Sequence, residues 1–502
     1  MNTFLKEKTT FFKFLIPATI IYMPVFGHLD TLPVRIWDES RVAINAYEMY
    51  KNKDYIVAHF EGMPDMWNTK PPLLLWTQVI FMKIIGVNEL AIRLPVAIAV
   101  FFTCVILLIF SLIYLKNFWF GFIAIVVLIT SQGYIHVHAA RTGDYDAMLT
   151  LFTTASGLFF FAYCEKPKPS YLYLFFLCTA LAVLTKSIAG LFFVPAMIIY
   201  CMMQKKFISL VRNKHFYAGL LSFLFLAGGY YLLREIKNPG YLNAVQENDL
   251  FGRYTKILDV VHRHGFWFYY DNLIHFRLAE WYLLVFCGMV IGLVSKNEKI
   301  KRLSLFSSLM TLNCFLIIST SKTQLEWYDV PMYPFMAILT AVFLHYLFTF
   351  LKNFQWAQNT LNFNVLPFVF LFLTCIGPYQ KIINKTYKPK ELEWEKDFYE
   401  IGYFLKDAIK GKHYLNNQYL LYDGYNAHNL FYLNILNDKG IKIRFKDWRQ
   451  LNPMDVVIVC QKNVKKHIED HYQYEVIQTH GNIITFKIHG KKEQSCVPEK
   501  NF

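Results

Sequence analysis

"RLPVAIAVFFTCVILLIFSLIYL", residues 93–115, decides the fold class. After Arg93 the run carries no charged residue before Lys116. At about 1.5 Å of rise per residue, a helix of this length crosses the roughly 30 Å hydrocarbon core of a bilayer. Further apolar segments lie at 11–27, 117–136, 147–163, 171–185, 187–203, 215–233, 280–295, 303–319, 331–350 and 364–378. With some length borrowed from their flanks, they imply about eleven to thirteen spanning helices.

Composition agrees. Of the 502 residues, 55% are hydrophobic and 18% aromatic, against 17% charged, a balance that soluble chains of this length rarely show. The net charge of +15 mostly reflects loop bias and gives little support to a nucleic-acid partner. Lysines and arginines gather in alternate short loops: Lys166 with Lys168; Lys205, Lys206, Arg212 and Lys214; Lys296, Lys299, Lys301 and Arg302. That is the positive-inside pattern. The first apolar run follows Lys6, Lys8 and Lys13 with no small-residue cleavage site behind it, so it reads as an uncleaved anchor with a cytoplasmic N-terminus. Segments 28–92, 137–146, 234–279 and 320–330 and the C-terminal domain then face the outer side.

From about residue 380 the texture changes to short alternating elements. "QYLLYD", "KIRF", "DVVIVC", "YEVIQT" and "NIITFKI" read as strands, while "EWEKDFYEIGYFLKDAIK", "NAHNLFYLNIL" and "QKNVKKHIEDHY" read as helices. The expected architecture is therefore a polytopic α-helical membrane domain, 1–380, followed by a soluble extracytoplasmic α/β domain, 381–502. The tail carries no glycine-rich phosphate loop and reads as a cap. Cysteines sit mostly in apolar helices; Cys460 and Cys496 lack metal-ligand spacing, and a disulfide between them has no support in the sequence.

The outer loops hold amphipathic helices expected to lie along the interface. One begins at "WDESRVAINAYEMY" (37–50), a second spans 70–86, and a third falls within 240–279. Asp38 either caps the first helix or, with Glu39 and Arg41 beside it, holds an acceptor near an anion. Lys70 precedes Pro71 and Pro72, which fit the first turn of a helix. A lysine at that positive end suggests a bound anion such as phosphate, unless it reaches for headgroups. "ARTGDYDAMLT" places Arg141, Asp144 and Asp146 at the outer end of a span. Lys186 in "VLTKSIAGL" reaches the same level, to pair with Asp144 or Asp146 or to contact phosphate. "ENDLFGRY" offers Glu247, Asp249 and Arg253. His262 and His264 in "HRHGFWFYY" make a weak metal signal, since two ligands in a loop are not a site. "SKTQLEWYDVPMYP" adds Lys322, Glu326, Trp327 and Tyr328, the last able to donate to a phosphate oxygen.

The order of these motifs, "WDESR", "KPPLLLW", "RTGDYDAMLT", "LTKSIAGL", "ENDLFGRY", "HRHGFWFYY" and "EWYDVPMYP", resembles that of the bacterial aminoarabinose–lipid A transferases and the related protein O-mannosyltransferases. These are membrane glycosyltransferases of the GT-C type. The resemblance covers roughly residues 10–380, and the tail is similar to the outer domain of the bacterial branch. It implies an inverting glycosyltransferase that moves a sugar from a polyprenyl phosphate, such as undecaprenyl phosphate, to an envelope lipid like lipid A, a protein or a glycan. The expected location is the bacterial inner membrane, with transfer on the outer side.

By the same resemblance, Asp38 takes the acidic catalytic position with Glu39 beside it, and Arg41, Lys70, Lys186 and Tyr328 contact donor phosphate. Arg141, Asp144, Asp146, Glu247, Arg253, His264 and Lys322 are candidate substrate contacts. Two departures stand out: Thr69 replaces an acid common in relatives, which removes a metal ligand, and Ser187 replaces a common glycine. No cofactor is required by the sequence, and a divalent metal is not expected. The competing reading is a transporter or flippase of a lipid-linked substrate. Transport would favour polar groups near the midplane and related halves; here the ionisable groups crowd one face and no repeat is visible.

Overall fold

The structure, a computed structural model, describes residues 2–250, 252, 260–354 and 364–492. Arg253 and Cys496, named above, lie outside these residues. The chain divides into two compact units, Met1–Leu29 with Glu48–Pro389, and Asp30–Tyr47 with Lys390–Phe502. The change of texture near residue 380 therefore falls close to one boundary, but periodicity gave no sign that 30–47 belongs with the tail. Three bonds within the second unit explain it. Arg35 Nε pairs with Glu395 at 2.8 Å, the Val34 N–H donates to Tyr432 Oη at 2.7 Å, and Tyr47 Oη donates to Asp438 at 3.0 Å.

The first unit is helical, as its hydropathy requires. Among the described residues seven helices are long and apolar enough to cross a bilayer: Glu89–Leu115, Asp146–Glu165, Pro169–Leu191, Lys214–Lys237, Glu298–Thr320, Glu326–Lys352 and Leu366–Thr386. Phe268–Arg277 and Tyr282–Leu293, bent by 109°, make an eighth if they form one span. Phe11–Phe26, Leu73–Ile85, Phe118–Thr130 and Val194–Met203 are apolar but shorter. Hydropathy thus found the apolar segments, while several of the helices are too short to cross alone.

In a bilayer, helices gain little from burying apolar surface against each other, so close packing depends on small residues. Gly288 and Gly292 supply a small-xxx-small stripe. A Cβ at Gly288 would stand 1.8 Å from the Leu339 carbonyl oxygen, and one at Gly292 would stand 2.0 Å from Ser304 Oγ. Helix Tyr282–Leu293 therefore meets the backbone of Tyr333–Lys352 at Gly288 and a side chain of Glu298–Thr320 at Gly292, with no room for a methyl group at either.

The expected interface helices differ in outcome. Asp38–Asn52 is one helix that buries Val42, Ala43, Ala46 and Tyr47, as the spacing predicts. The second starts only at Leu73, with Pro72 at its N-cap, so the two prolines precede the helix rather than fill its first turn. The third falls partly on residues 251 and 253–259, outside those described; the described parts of 240–279 form short elements, Tyr241–Val245, Gln246–Leu250, Val260–His262, Phe268–Asn272 and Leu273–Arg277.

In the second unit, strands β3 (Gln418–Leu420), β4 (Ile443–Phe445), β5 (Val456–Val459), β6 (Tyr472–His480) and β7 (Ile483–Lys491) follow the ladder β1 (His59–Phe60) and β2 (Met63–Pro64) of the first unit. The five tail strands form one sheet in the order β4-β3-β5-β7-β6. β3 pairs in parallel with β4 and β5, which needs crossovers, and helix Ala427–Asp438 supplies the first. β6 and β7 are an antiparallel hairpin turning through Gly481 at φ +60°. Each of the five tail strands falls on a segment read from the sequence, whereas the ladder β1–β2 was not read from it.

Candidate functional site

In the first unit, four predicted residues come together around one cavity of about 360 Å³: Lys70, Asp146, Lys186 and Tyr328. Asp249 joins them. Leu149, Ile188, Leu191, Phe192 and Ile317 supply apolar walls, so a few charged groups share the cavity with a hydrocarbon-like lining. That is the usual make-up of a ligand site: mostly apolar, with a few convergent polar groups.

Each lysine is held by a carboxylate. Lys186 Nζ lies 2.5 Å from Asp146 Oδ1, and Lys70 Nζ lies 3.2 Å from Asp249 Oδ1. All four side chains are at most 12% exposed, and an ammonium that buried needs such a partner. The aspartates thus fix where both ammonium groups point. The Lys186 ammonium also lies 5.2 Å from the centre of the Tyr328 ring, within cation–π range.

Local structure explains the aim. Lys186 is the last residue of helix Pro169–Lys186, and Ser187 breaks the helix at φ +52°, ψ −135°, a conformation costly for any residue with a Cβ. Ser187 Oγ accepts a hydrogen bond from Tyr231 at 3.0 Å. Thr69 Oγ1 donates to Asp249 Oδ2 at 3.0 Å, and the Thr69 carbonyl accepts from Tyr241 Oη at 2.7 Å. Burial pushes the Tyr241 phenol above its usual range, so it stays a donor. Arg234, fully buried, stacks 4.5 Å from the Tyr241 ring centre and donates to the Asp65 carbonyl.

The remaining candidates are distributed differently. Asp144 is buried beside His138, with Oδ2 3.2 Å from Nδ1, and accepts from Thr142 at 2.5 Å. His138, at φ +62°, stacks on Trp327 with centroids 3.7 Å apart. Arg141 donates to the carbonyls of Pro24, Val25, Gly27 and His28, which terminates the first helix. Glu247 and Lys322 are exposed, and exposed His264 stacks on Phe268 at 3.9 Å. No group of three or more His, Cys, Asp or Glu among the described residues is arranged to hold a metal. Sequence reading missed the buried pair Arg277–Asp329, 2.7 Å, which also binds Tyr333 Oη. The available signal was an arginine and an aspartate each flanking an apolar run.

The second unit holds Asp38, Glu39 and Arg41. Asp38 is the first residue of its helix, where a carboxylate suits the positive end, and it is exposed. Glu39 is buried, and its Oε2 accepts the Arg35 N–H at 2.7 Å, four residues back. The turn between them places Trp37 at φ +70°, with its carbonyl accepting from Ser40 Oγ and the Arg41 N–H. A bulky residue in that region is an outlier of the kind that accompanies functional turns.

Residues 69–230 match the family described as dolichyl-phosphate-mannose-protein mannosyltransferase. An uncharacterized protein of Aquifex aeolicus (strain VF5) is 29% identical over 335 residues, which is 66% of this chain but only 63% of that protein. In fold, ArnT from Cupriavidus metallidurans bound to undecaprenyl phosphate superposes with a TM-score of 0.70 at 14% identity, covering 95% of this chain and 98% of that one. The oligosaccharyltransferase AglB from Archaeoglobus fulgidus, in complex with an inhibitory peptide and a dolichol-phosphate, gives 0.57 at 10% identity over 86% and 64%. The chain resembles the GT-C glycosyltransferases, with ArnT and the O-mannosyltransferases among them, and has their fold: a helical membrane domain followed by a mixed-sheet domain.

Proposed function

We propose that the protein is an inverting glycosyltransferase that moves a sugar from a polyprenyl phosphate to a hydroxyl of an envelope acceptor, at the outer face of a bacterial inner membrane. The observation that carries this reading is the first-unit cavity, where Lys70, Lys186 and Tyr328 line an otherwise mostly apolar enclosure. Such an enclosure suits a molecule with a phosphate at one end and hydrocarbon behind it. The ligands named for ArnT and AglB, undecaprenyl phosphate and dolichol-phosphate, have that form.

In the reaction the bond between the anomeric carbon and the phosphate oxygen breaks, and its electron pair stays on the phosphate. Negative charge therefore grows where the two ammonium groups and the Tyr328 hydroxyl can stabilise it. The acceptor oxygen attacks the opposite face of the sugar carbon and gives its proton to a base, the role assigned to Asp38. The resemblance assigns Arg41 to the donor phosphate as well, and Glu39, by accepting the Arg35 N–H, holds the turn that carries Asp38.

The test is release of polyprenyl phosphate from lipid-linked sugars by the protein in nanodiscs, with mixed envelope acceptors. Wild type should turn over, Lys70→Ala should lose about 10²- to 10³-fold in kcat, and Asp38→Asn should fall to background while still folded. Full activity of Asp38→Asn would remove the base role; no release by wild type with any donor would remove the reading.

A further inference from the structure

The two lysines of the first-unit cavity stand on unlike backbone. Lys70 lies in irregular chain, three residues before helix Leu73–Ile85, whereas Lys186 closes helix Pro169–Lys186. An ion pair fixes where an ammonium points, but a long, rotamer-rich side chain stays in place only if the backbone behind it is fixed as well. For both lysines that backbone is held from one segment, 230–241.

Tyr241 Oη donates to the carbonyl of Thr69, the residue before Lys70, at 2.7 Å. Tyr231 Oη donates to Oγ of Ser187, the residue after Lys186, at 3.0 Å. The two rings stack, with centroids 6.0 Å apart and planes 22° from parallel. One pair of rings thus joins the chain beside both lysines. Arg234, on the same helix as Tyr231, lies 4.5 Å from the Tyr241 ring centre and donates to the Asp65 carbonyl at 3.1 Å. Tyr230 Oη donates to the Ile56 carbonyl at 3.2 Å. The loop that leads to Lys70 is therefore gripped at the carbonyls of Ile56, Asp65 and Thr69.

The Ser187 end of this connection is strained. Its φ of +52° with ψ of −135° is a conformation that glycine adopts freely and a residue with a Cβ does not. The turn is also tight: a Cβ at Gly190 would stand 2.5 Å from the backbone nitrogen of Val183, so the chain folds straight back onto the end of its own helix. A glycine at 187 would make the same turn without strain and would offer Tyr231 no hydroxyl. Serine carries the strain and supplies the bond.

We infer that Tyr231 and Tyr241 are positioning residues, whose stacked pair sets the spacing of Lys70 and Lys186 so that both ammonium groups meet one phosphate. This role rests on the reading of the cavity as the donor-phosphate site. It matters most where charge grows. The donor phosphodiester carries one negative charge and the released monoester roughly two. A loosened lysine still meets the first, but the second draws on two cations converging on the same group.

The test uses the full-length protein in nanodiscs as Tyr231→Phe, Tyr241→Phe, Ser187→Gly and the double variant Tyr231→Phe with Ser187→Gly. Each phenylalanine keeps the ring and removes one bond. Two probes separate the charge states without any knowledge of sugar or acceptor: geranyl phosphate, a monoester, and geranyl methyl phosphate, the matching diester. Each single variant should bind the monoester about tenfold more weakly and the diester as wild type does. In polyprenyl phosphate release, kcat should fall about 10- to 100-fold with KM for the donor nearly unchanged. Ser187→Gly should unfold no lower than wild type, so its loss is one of aim and not of fold. The double variant should be no worse than Tyr231→Phe alone, because both changes remove the same bond. Additive losses in the double variant, or wild-type kcat and monoester affinity in Ser187→Gly, overturn the positioning role and leave the donor site standing. A wild type that binds neither geranyl probe and releases no polyprenyl phosphate removes the donor-site reading, and the positioning role with it.

Discussion

Lys186 and Asp146, forty positions apart in the chain, meet at 2.5 Å in the wall of the first-unit cavity. The pair is buried, so each group depends on the other for the partner that water would otherwise supply. Asp146→Asn strands the ammonium and should cost about 3–5 kcal/mol of stability. Asp146→Asn with Lys186→Met should recover most of that loss, because no buried charge is left unpaired. Thermal unfolding of the purified variants in nanodiscs measures both. Equal unfolding temperatures for the single and double variants would show that the pair does not hold the fold.

Tyr328 offers two separable contributions, a ring facing Lys186 at 5.2 Å and a hydroxyl available to a phosphate oxygen. Tyr328→Phe keeps the first and removes the second. A hydrogen bond to a charged group is worth about 1.5–3 kcal/mol, so kcat/KM should fall roughly 10- to 100-fold. Tyr328→Leu should fall further, through loss of the cation–π contact. If Tyr328→Phe matches wild type in steady-state transfer, the hydroxyl has no part in phosphate binding.

Gly288 packs so tightly on helix Tyr333–Lys352 that a Cβ would stand 1.8 Å from the Leu339 carbonyl oxygen. Backbone atoms cannot swing aside, so Gly288→Ala must push the helices apart and should cost about 1–3 kcal/mol. Gly377→Ala, where nothing lies within 4 Å of the added Cβ, is the control and should be neutral. Folded yield after detergent extraction distinguishes them; a normal yield of Gly288→Ala would mean that the pair of helices is looser than this.

His428 in the tail domain is buried, and neither ring nitrogen has a hydrogen-bond partner among the described residues. Burial pushes its imidazole down to about 3. Above the unfolded value near 6.5, both folded and unfolded states are neutral and the residue contributes no pH dependence. Below it the unfolded chain takes up a proton that the folded domain refuses, so stability should fall by about 1.4 kcal/mol per pH unit until roughly pH 3. Hydrogen exchange of helix Ala427–Asp438 between pH 7 and 5 reports this. His428→Phe should flatten the slope, and an unchanged slope would assign the acid sensitivity to another group.

Much of the candidate site was legible as residue types in the wrong company. Lys70, Asp146, Lys186 and Tyr328 were marked because ionisable and phenolic groups at the ends of apolar runs are uncommon, and they do share a cavity. Arg141 and Asp144 carried the same mark, yet one closes the first helix and the other holds His138. Asp249 and Glu247 could not be ranked from a loop sequence; the structure buries the first beside Lys70 and exposes the second.

By itself the sequence determined the membrane character, the alternating strands and helices of the tail, and which side chains were candidates. Those properties follow from hydropathy and periods of two or 3.6 residues, which act between near neighbours along the chain. Only the tertiary structure decided that segment 30–47 joins the tail and which aspartate each lysine takes. These depend on which helices pack together, and a contact between residues 70 and 249 leaves no trace in the local pattern around either.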